Sequence, residues 1–290
     1  MSYTTGVATD YKNLLSILAT FIAANGWTIL NQNETLLQVR GSGDGTDEIY
    51  GHINLSEDSA NSRYVWEIAG SVYYRADKAW SYQPRGNQNY GGTHIYAAFW
   101  NAPITYWITC NSYRFIIVAK VSTYYKHMHF GFIKPCATKA QYPYPLLVGG
   151  MGSWYTGYSD TGPSAYWSGN HNGYDYAHSN LYLPDSMWAY VNNSSENSGY
   201  PGRRYCKAYS LYHGLRGSFF KSPDGSYLLA PYYIRNTFID DIYGEIDGIY
   251  WITGYENTSE NIVTVNGVNY IVFQDNGRSG YADFCALRMN

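Results

Sequence analysis

The sequence predicts an α+β protein built mainly from antiparallel β-strands, with one N-terminal helix packed on a sheet. Two observations support this fold class. Apolar residues recur at helical spacing in one stretch near the N-terminus, whereas most other segments alternate apolar and polar residues as half-buried strands do. Turn-forming dipeptides, above all Asn266-Gly267, then separate apolar segments at hairpin spacing near the C-terminus.

The helix is predicted from Tyr11 onward. Its apolar residues recur at spacings of three and four, which places them on one face: Tyr11, Leu14, Leu15, Leu18, Phe21 and Ile22. Thr9 or Asp10 can cap its start, and Asn25-Gly26 tolerates the left-handed backbone that ends many helices. We therefore expect this helix to cover one face of a sheet.

Strands follow the helix up to about residue 140. The stretch from Trp27 predicts two strands joined by a polar turn, and "EIYGHINLSE" and "RYVWEIAGSVYY" alternate as half-buried strands do. A hairpin turning at Asn111-Ser112 comes next, with residues 115–118 buried on both faces, and a further strand runs through "TYYKHMHFGF". We predict that residues 1–140 form one domain of a helix and an antiparallel sheet.

The rest of the chain divides into two predicted sections. Residues 141–235 begin with a stretch rich in Gly, Pro, Ser, Asn, Tyr and Trp, for which we expect long aromatic-rich loops packed by their own rings. Residues 236–290 return to strands and should form β-hairpins packed on the same body. Asn266-Gly267 is the strongest hairpin signal, because a type I′ turn needs positive φ at both central positions, and Asp224-Gly225 is a weaker one.

Composition restricts the function classes. With 14% charged residues, a net charge of -3 and no basic run, the chain lacks the electrostatic footprint of a protein that binds nucleic acid or an anionic membrane. No apolar run reaches the roughly 18 residues of a membrane helix, residues 1–25 do not resemble a secretory signal, and four widely spaced cysteines favour free thiols. We expect a protein made in the cytoplasm that stays soluble, unless it leaves as part of a larger assembly.

Aromatic residues are unusually frequent, since Tyr, Trp and Phe make up 18% of the chain. Tyrosine joins an apolar body to a hydroxyl that stays hydrated, so such a chain suits sugar-facing surfaces and subunit contacts. A tyrosine-rich sheet facing solvent without a ligand fits the composition equally well. The candidates for interface or glycan contacts lie in the aromatic-rich loops: Tyr142, Tyr144, Trp154, Tyr155, Tyr166, Trp167 and Tyr174.

A histidine pair raises the question of a metal site. On a strand, His127 and His129 share a face, as two ligands of one ion must. The other histidines are isolated, however, and no H-E-x-x-H or C-x-x-C motif supplies a third ligand. Ring packing is the favoured interpretation, and a metal site would require a trimer that brings three such strands to its axis. We predict no metal and no cofactor.

Two further motifs give weak indications of a binding or catalytic site. The glycines of "RGSGDGTDEIYG" precede a strand rather than a helix, so a hairpin connection is favoured over a phosphate loop, and its acidic residues do not match an EF-hand. The segment "FIDDIYGEID" collects Asp240, Asp241, Glu245 and Asp247, which could serve glycoside hydrolysis as a carboxylate pair. Neighbouring carboxylates between strands are usually solvated turn residues, so we predict that the protein is not an enzyme.

Several segments are informative as a set: "SYTTGVATDYKNLL" followed by a "GW" strand, "GTDEIYGHI", "RFIIVAKVSTYY", "QYPYPLLVGG", and the run from "GEIDGIYWITG" to "YADFCALRM". Together they resemble a group of proteins encoded in the tail modules of bacteriophages and prophages. The likeness covers most of the chain, is strongest at 113–150 and 244–290, and is looser at 151–235. It carries over no catalytic residues.

The resemblance implies a virion structural protein of the tail, baseplate or fibre region. Such a protein is assembled in the bacterial host cytoplasm and becomes part of the virion, with other tail proteins as partners and a homo-oligomer, a trimer or higher, as its own state. Two alternatives remain open. The aromatic-rich loops could bind a host surface glycan in a lectin-like, receptor-recognition role, or the acidic segment could serve a polysaccharide hydrolase.

Overall fold

A computed structural model describes most of the chain. The residues that it describes are 1–43, 47–87, 95–136, 146–150, 179–183, 186–191, 205–209, 221–236, 242–274, 280–281 and 283–290. They form mainly antiparallel strands with one long helix, α1 (Tyr11–Ala23), near the N-terminus. This confirms the predicted fold class. No helix in these ranges is long and apolar enough to cross a membrane.

Five strands form a small sheet, in spatial order as along the chain: β2 (Thr28–Gln32), β3 (Leu36–Ser42), β4 (Glu48–Asp58), β5 (Arg63–Ser71) and β6 (Ile95–Phe99). The other strands form a large sheet: β1 (Ser2–Ala8), β7 (Ile104–Asn111), β8 (Arg114–Val121), β9 (Tyr124–Phe132), β10 (Lys134–Pro135), β11 (Leu146–Gly149), β12 (Ser179–Tyr182), β13 (Trp188–Val191), β14 (Tyr205–Tyr209), β15 (Ala230–Asn236), β16 (Ile242–Ile252), β17 (Ile262–Val265), β18 (Val268–Gln274) and β19 (Phe284–Arg288).

The large sheet runs in the order β1-β7-β8-β9-β11-β12-β13-β14-β15-β16-β19-β18-β17, with β10 beside β16. Its neighbours are antiparallel except for the β13–β14 pair, which is parallel. The sheet takes strands from all three predicted sections of the chain. In the strand order of the described residues, β1 is the outermost strand at one end and β17 is the outermost strand at the other.

Two cores lie on opposite faces of β7, β8 and β9. One face packs against α1 and the small sheet, where Trp27 meets Phe115 at 5.2 Å between ring centroids. The other face packs against the C-terminal strands of the same large sheet, where Trp107 meets Phe273 at 5.0 Å. Alternate residues of β8 enter alternate cores, so the prediction that residues 115–118 are buried on both faces is confirmed.

Local signals placed the helix ends and one hairpin correctly. Of the two candidate caps, Asp10 is the one used: its Oδ1 accepts a hydrogen bond from the Asn13 amide at 2.7 Å. Gly26 follows the helix with φ of 95°. Asn266 and Gly267 have φ of 52° and 77° between β17 and β18, which confirms the predicted type I′ geometry.

Three predicted boundaries require correction. The β7–β8 hairpin turns at Ser112 and Tyr113, because Asn111 remains in the strand, where its carbonyl accepts a hydrogen bond from Trp27 Nε1 at 2.7 Å. Residues around Gly225 form a closed turn, with a 2.9 Å bond from the Ser222 amide to the Ser226 carbonyl, but regular strand structure begins only at Ala230. The predicted strand "RYVWEIAGSVYY" ends at Ser71, three residues early.

Candidate functional site

The histidine pair lies inside the protein. On β9, His127 is opposite Val118 and His129 is opposite Ile116, and both of these partners belong to the core between the halves of the large sheet. The two imidazoles therefore share a face, as predicted. Burial lowers the pKa of each to about 3, so both are neutral at pH 7. No group of three potential metal ligands occurs among the described residues.

The acidic segment supplies a structural ion pair. Asp240 and Asp241 lie outside the described residues, but Asp247 on β16 accepts a hydrogen bond from Arg114 Nη1 at 2.7 Å, and Arg114 also donates to the Asp247 carbonyl. Burial raises the pKa of Asp247, but the charge and hydrogen bond of Arg114 outweigh it and leave that pKa below its ordinary value. The pair joins β8 to β16, two strands of the large sheet that are not neighbours in the strand order.

Glu245 has a different environment. Burial raises its pKa, while the charge of Lys134, opposite it in the β10–β16 register, acts in the other direction. The pKa values of the two carboxylates of β16 are thus shifted in opposite directions. Asp247 is committed to Arg114, and so the described residues present Asp247 as a link between strands.

The predicted interface and glycan candidates fall in other parts of the chain. Tyr142, Tyr144, Trp154, Tyr155, Tyr166, Trp167 and Tyr174 lie outside the described residues. Within the described residues, exposed aromatic side chains concentrate in the connection from Val72 to Asn87, which we call the aromatic loop. Sequence reasoning missed this loop because it assigned the first of these aromatics to a strand.

The aromatic loop begins where β5 ends. Ser71 Oγ donates to the Tyr73 carbonyl at 2.9 Å, which turns the chain out of the sheet. The Tyr74 ring then stacks on Tyr50 of β4, with centroids 5.6 Å apart and planes inclined by 18°. It also lies parallel to the ring of His52, 6.3 Å away. Tyr74 therefore anchors the loop to the small sheet, although the alternation of the sequence favours a strand there.

A buried chain of hydrogen bonds reaches the loop from β3. Gln38 Nε2 lies 3.1 Å from His52 Nδ1, and His52 Nε2 lies 3.2 Å from the Ser71 hydroxyl. Because Gln38 offers an N–H, the imidazole accepts at Nδ1 and donates at Nε2, and the Ser71 hydroxyl in turn donates a hydrogen bond to the Tyr73 carbonyl. Burial lowers the pKa of His52 to about 3, so the ring remains neutral. This chain orients the start of the loop.

Two buried amides hold the rest of the loop. Gln83 Oε1 accepts from the Arg75 amide at 2.8 Å, and Gln83 Nε2 donates to the carbonyls of Arg75, Lys78 and Ala79 at 3.0, 2.9 and 3.4 Å. Asn87 Oδ1 accepts from the Gly70 amide at 2.9 Å. These two side chains thus supply hydrogen-bond partners to backbone groups of the loop and of the end of β5.

The outer surface of the loop carries two exposed tyrosines and a cation. Tyr82 is 69% exposed and Tyr73 is 49% exposed. The Arg85 guanidinium lies over the Tyr73 ring at 5.0 Å from its centroid. Arg85 has φ of 52°, and its carbonyl accepts a hydrogen bond from Trp188 Nε1 at 2.9 Å, so the side chain projects from a backbone that β13 holds in place.

The ends of the large sheet form a second candidate surface. Strand β1 pairs with β7 over seven consecutive residues and β17 pairs with β18 over four, without a register shift. Neither strand contains a charged residue or a proline. The edges of the small sheet differ, since β2 has a register shift between Ile29 and Asn31 and every residue of β6 is buried. Charges, prolines and bulges are the usual protection of an edge strand, and both ends of the large sheet lack them.

No protein-family model matches this chain, and a search of curated proteins finds no match.

Proposed function

We propose that this protein is a structural component of a bacteriophage virion, in the tail, baseplate or fibre region, and that its copies join neighbouring subunits through β1 and β17, the outermost strands of the large sheet in the described part of the chain. The resemblance to proteins of phage tail modules supports the first part. The outermost strands β1 and β17, which contain no charged residue and no proline, support the second, and they are the observation that carries the proposal.

An open edge presents a row of backbone amides and carbonyls to any added strand. Each outermost strand also exposes a β-branched residue, Val7 at 64% and Ile262 at 55%. Both strands have regular pairing on their inner side, so an added strand continues the existing register. Proteins that must stay monomeric avoid such edges, whereas assembly subunits use them.

The two edges lie at opposite ends of the strand order. Pairing of β17 in one copy with β1 in the next is therefore head-to-tail, and it closes into a ring if the rotation between copies permits. Strands of other tail proteins can occupy the same edges at the ends of such an assembly. In the virion, β17 of one copy would thus pair with β1 of the next copy.

A charge on each edge tests the contact. We expect Val7→Lys and Ile262→Lys to reduce self-association of the purified protein, because a lysine on an edge strand opposes pairing. Leu228→Lys is the matched control, since Leu228 is exposed but lies outside the strands. Light scattering across a concentration series measures the oligomeric state.

The virion role has its own test. Mass spectrometry of purified particles should detect the chain in several copies per particle, and the double edge variant should be depleted from particles produced in its presence. Particles that lack the chain altogether would overturn the virion role. Edge variants that assemble as the wild type does would overturn the edge contact alone.

A further inference from the structure

Strands β1 and β17 are matched in direction, in backbone alternation and in the face of their exposed side chains. We propose, on the basis of the function proposed for these strands, that copies join through one antiparallel register. In that register Ile262 of one copy lies opposite Val7 of the next copy, and Thr264 lies opposite Thr5. The partner of each outermost strand is thus a defined segment of a second copy of this chain.

The two strands run in opposite directions in the large sheet. Strand direction reverses at each step of the order from β1 to β17 except between β13 and β14, which are parallel. The number of reversals is therefore odd, so β17 is antiparallel to β1. A copy added head-to-tail with its sheet faces continuous keeps its strand directions, and its β1 meets β17 antiparallel. Without the parallel β13–β14 step, the contact would be parallel.

Alternate residues of β17 turn their backbone groups away from β18. In an antiparallel ladder, every second residue of a strand bonds to the same neighbour, and the residues between them face the other side. The Val272 amide donates to the Asn261 carbonyl at 2.9 Å, and the β17–β18 pair that follows has no register shift. Ile262 and Thr264 are therefore the residues of β17 whose N–H and C=O groups face outward.

The same alternation identifies the outward residues of β1. The Phe132 amide donates to the Tyr113 carbonyl at 3.0 Å, at the end of the β8–β9 ladder. The β8–β9, β7–β8 and β1–β7 pairs have no register shift, so the alternation continues across them. It directs the backbone groups of Gly6 toward β7 and leaves those of Thr5 and Val7 facing outward.

The exposed side chains of both strands lie on the same face of the large sheet. In β17, Ile262 is opposite Ile271, whose side chain belongs to the core between the halves of that sheet. In β1, Thr5 is opposite Trp107 of the same core, and Val7 follows two residues later on the same face. Directly opposed residues of two strands share a face. Pairing Ile262 with Val7 therefore keeps this face continuous from one copy to the next.

The side chains then select one alignment. A slip of one residue is excluded, because it would set outward backbone groups against inward ones and turn each side chain to the other face. Among the alignments that differ by two residues, only one places the two exposed apolar side chains, Ile262 at 55% and Val7 at 64%, opposite each other. It also places Thr264 opposite Thr5, a pair whose hydroxyls can bond across the strands.

Disulfide cross-linking between two variants of the full chain tests the register. Each variant carries Cys136→Ser, because Cys136 is exposed and the other cysteines are buried. We expect a mixture of Ile262→Cys and Val7→Cys to form a covalent dimer on mild oxidation, and neither variant alone to form one. In register the two Cα atoms are about 5.5 Å apart, within the range of a disulfide. Because a head-to-tail contact always joins β17 to β1, about one contact in four of an equal mixture can cross-link.

Two further mixtures fix the alignment. Thr264→Cys with Thr5→Cys is a second pair in register and should also cross-link. Ile262→Cys with Thr5→Cys is the matched control, because it is two residues out of register and its Cα atoms are roughly 9 Å apart. This control should give at least about tenfold less dimer, since a disulfide does not span that distance. Thermal unfolding of each variant checks that the fold is intact.

Three outcomes would overturn the register. Equal cross-linking of Ile262→Cys with Thr5→Cys and with Val7→Cys would show a slipped alignment. A covalent dimer of either variant alone would show symmetric pairing of like strands. Absence of a dimer from every mixture, while the wild type self-associates, would show a different contact. A wild type that stays monomeric at every concentration would overturn the edge contact itself and the register with it, whereas the virion role is tested separately on particles.

Discussion

Replacing Gln83 with alanine tests whether one buried amide holds the aromatic loop. The Gln83 side chain is fully buried and bonds to four backbone groups, on Arg75, Lys78 and Ala79. Alanine removes all four bonds and leaves an amide and several carbonyls without this partner. Between Val72 and Asn87 the loop contains a short 3₁₀ helix at Trp80–Tyr82 but no strand, so no strand pairing replaces what is lost.

The magnitude follows from the bond lengths. Three of the bonds measure 2.8, 3.0 and 2.9 Å, whereas the contact to Ala79 at 3.4 Å is at the limit. At about 1 kcal/mol of net stability per hydrogen bond, the three well-made bonds contribute about 3 kcal/mol. Local opening of the loop can hydrate the freed groups and sets a ceiling on the loss. We therefore expect the free energy of unfolding to fall by about 2–3 kcal/mol.

Urea unfolding measures the loss, and hydrogen exchange locates it. The Lys78 and Tyr82 amides donate to the Arg75 and Ala79 carbonyls at 3.1 and 2.9 Å, and both should exchange faster in Gln83→Ala. Gln83→Met retains most of the volume without the hydrogen bonds, and it should be nearly as unstable as the alanine variant. Gln32→Ala, at an exposed position on β2, should lie within about 0.5 kcal/mol of the wild type.

Two results would refute this reasoning. If Gln83→Met is as stable as the wild type, the side chain acts through its volume and not through its hydrogen bonds. If exchange at the Lys78 and Tyr82 amides is unchanged in Gln83→Ala, contacts other than the Gln83 hydrogen bonds hold the loop.

Three further predictions concern pH and the backbone. The pKa of Asp247 is lowered in the folded protein, so its pairing with Arg114 stabilises the protein above the unfolded pKa of about 3.9, and this stabilisation is lost as pH falls through the folded pKa. Asp247→Asn leaves Arg114 buried without its partner charge. In urea unfolding, this variant should therefore lose about 3 kcal/mol of stability at pH 7 and less at pH 3. Burial lowers the pKa of three histidines to about 3: His52, His127 and His129. Only the unfolded chain takes up these protons between about pH 6.5 and 3, so stability should fall on acidification by up to about 1.4 kcal/mol per pH unit for each histidine, and equal stability at pH 7 and pH 5 would contradict this. Gly267→Ala should lower the free energy of unfolding by about 1 kcal/mol, because φ at this position is +77° and nothing lies within 4 Å of the added Cβ. Gly70→Ala should lower it more, because the added Cβ would lie 2.6 Å from Val148 Cγ2. Equal midpoints of the two variants in thermal unfolding would contradict this difference.

Elements defined by nearby residues were predictable. The helix follows from the spacing of its apolar residues and from Asp10, and the β17–β18 hairpin follows from Asn266-Gly267. The shared face of His127 and His129 also follows from strand geometry. In each case the cause lies within a few residues of the effect, so the sequence contains all the information needed.

The aromatic loop shows why the rest could not be predicted. The alternation of the sequence continues through Tyr73 and Tyr74, yet β5 ends at Ser71. There the Ser71 hydroxyl bonds to the Tyr73 carbonyl, and the Tyr74 ring packs on the rings of Tyr50 and His52. Those partners lie about 20 residues earlier in the chain, on another strand. Gln83 likewise reads as an ordinary polar loop residue until the buried groups around it are known.

The sequence by itself determined the fold class, the N-terminal α-helix, most strands and one hairpin turn, because hydrophobic periodicity and turn chemistry act locally. The tertiary structure decided which of the described strands lie outermost in the large sheet, which face buries the two histidines, and where Arg85 lies over the Tyr73 ring. These features depend on contacts between distant segments, such as Arg114 with Asp247 across 133 residues. Pairing and burial at that separation are set by the packed chain as a whole, and no local pattern records them.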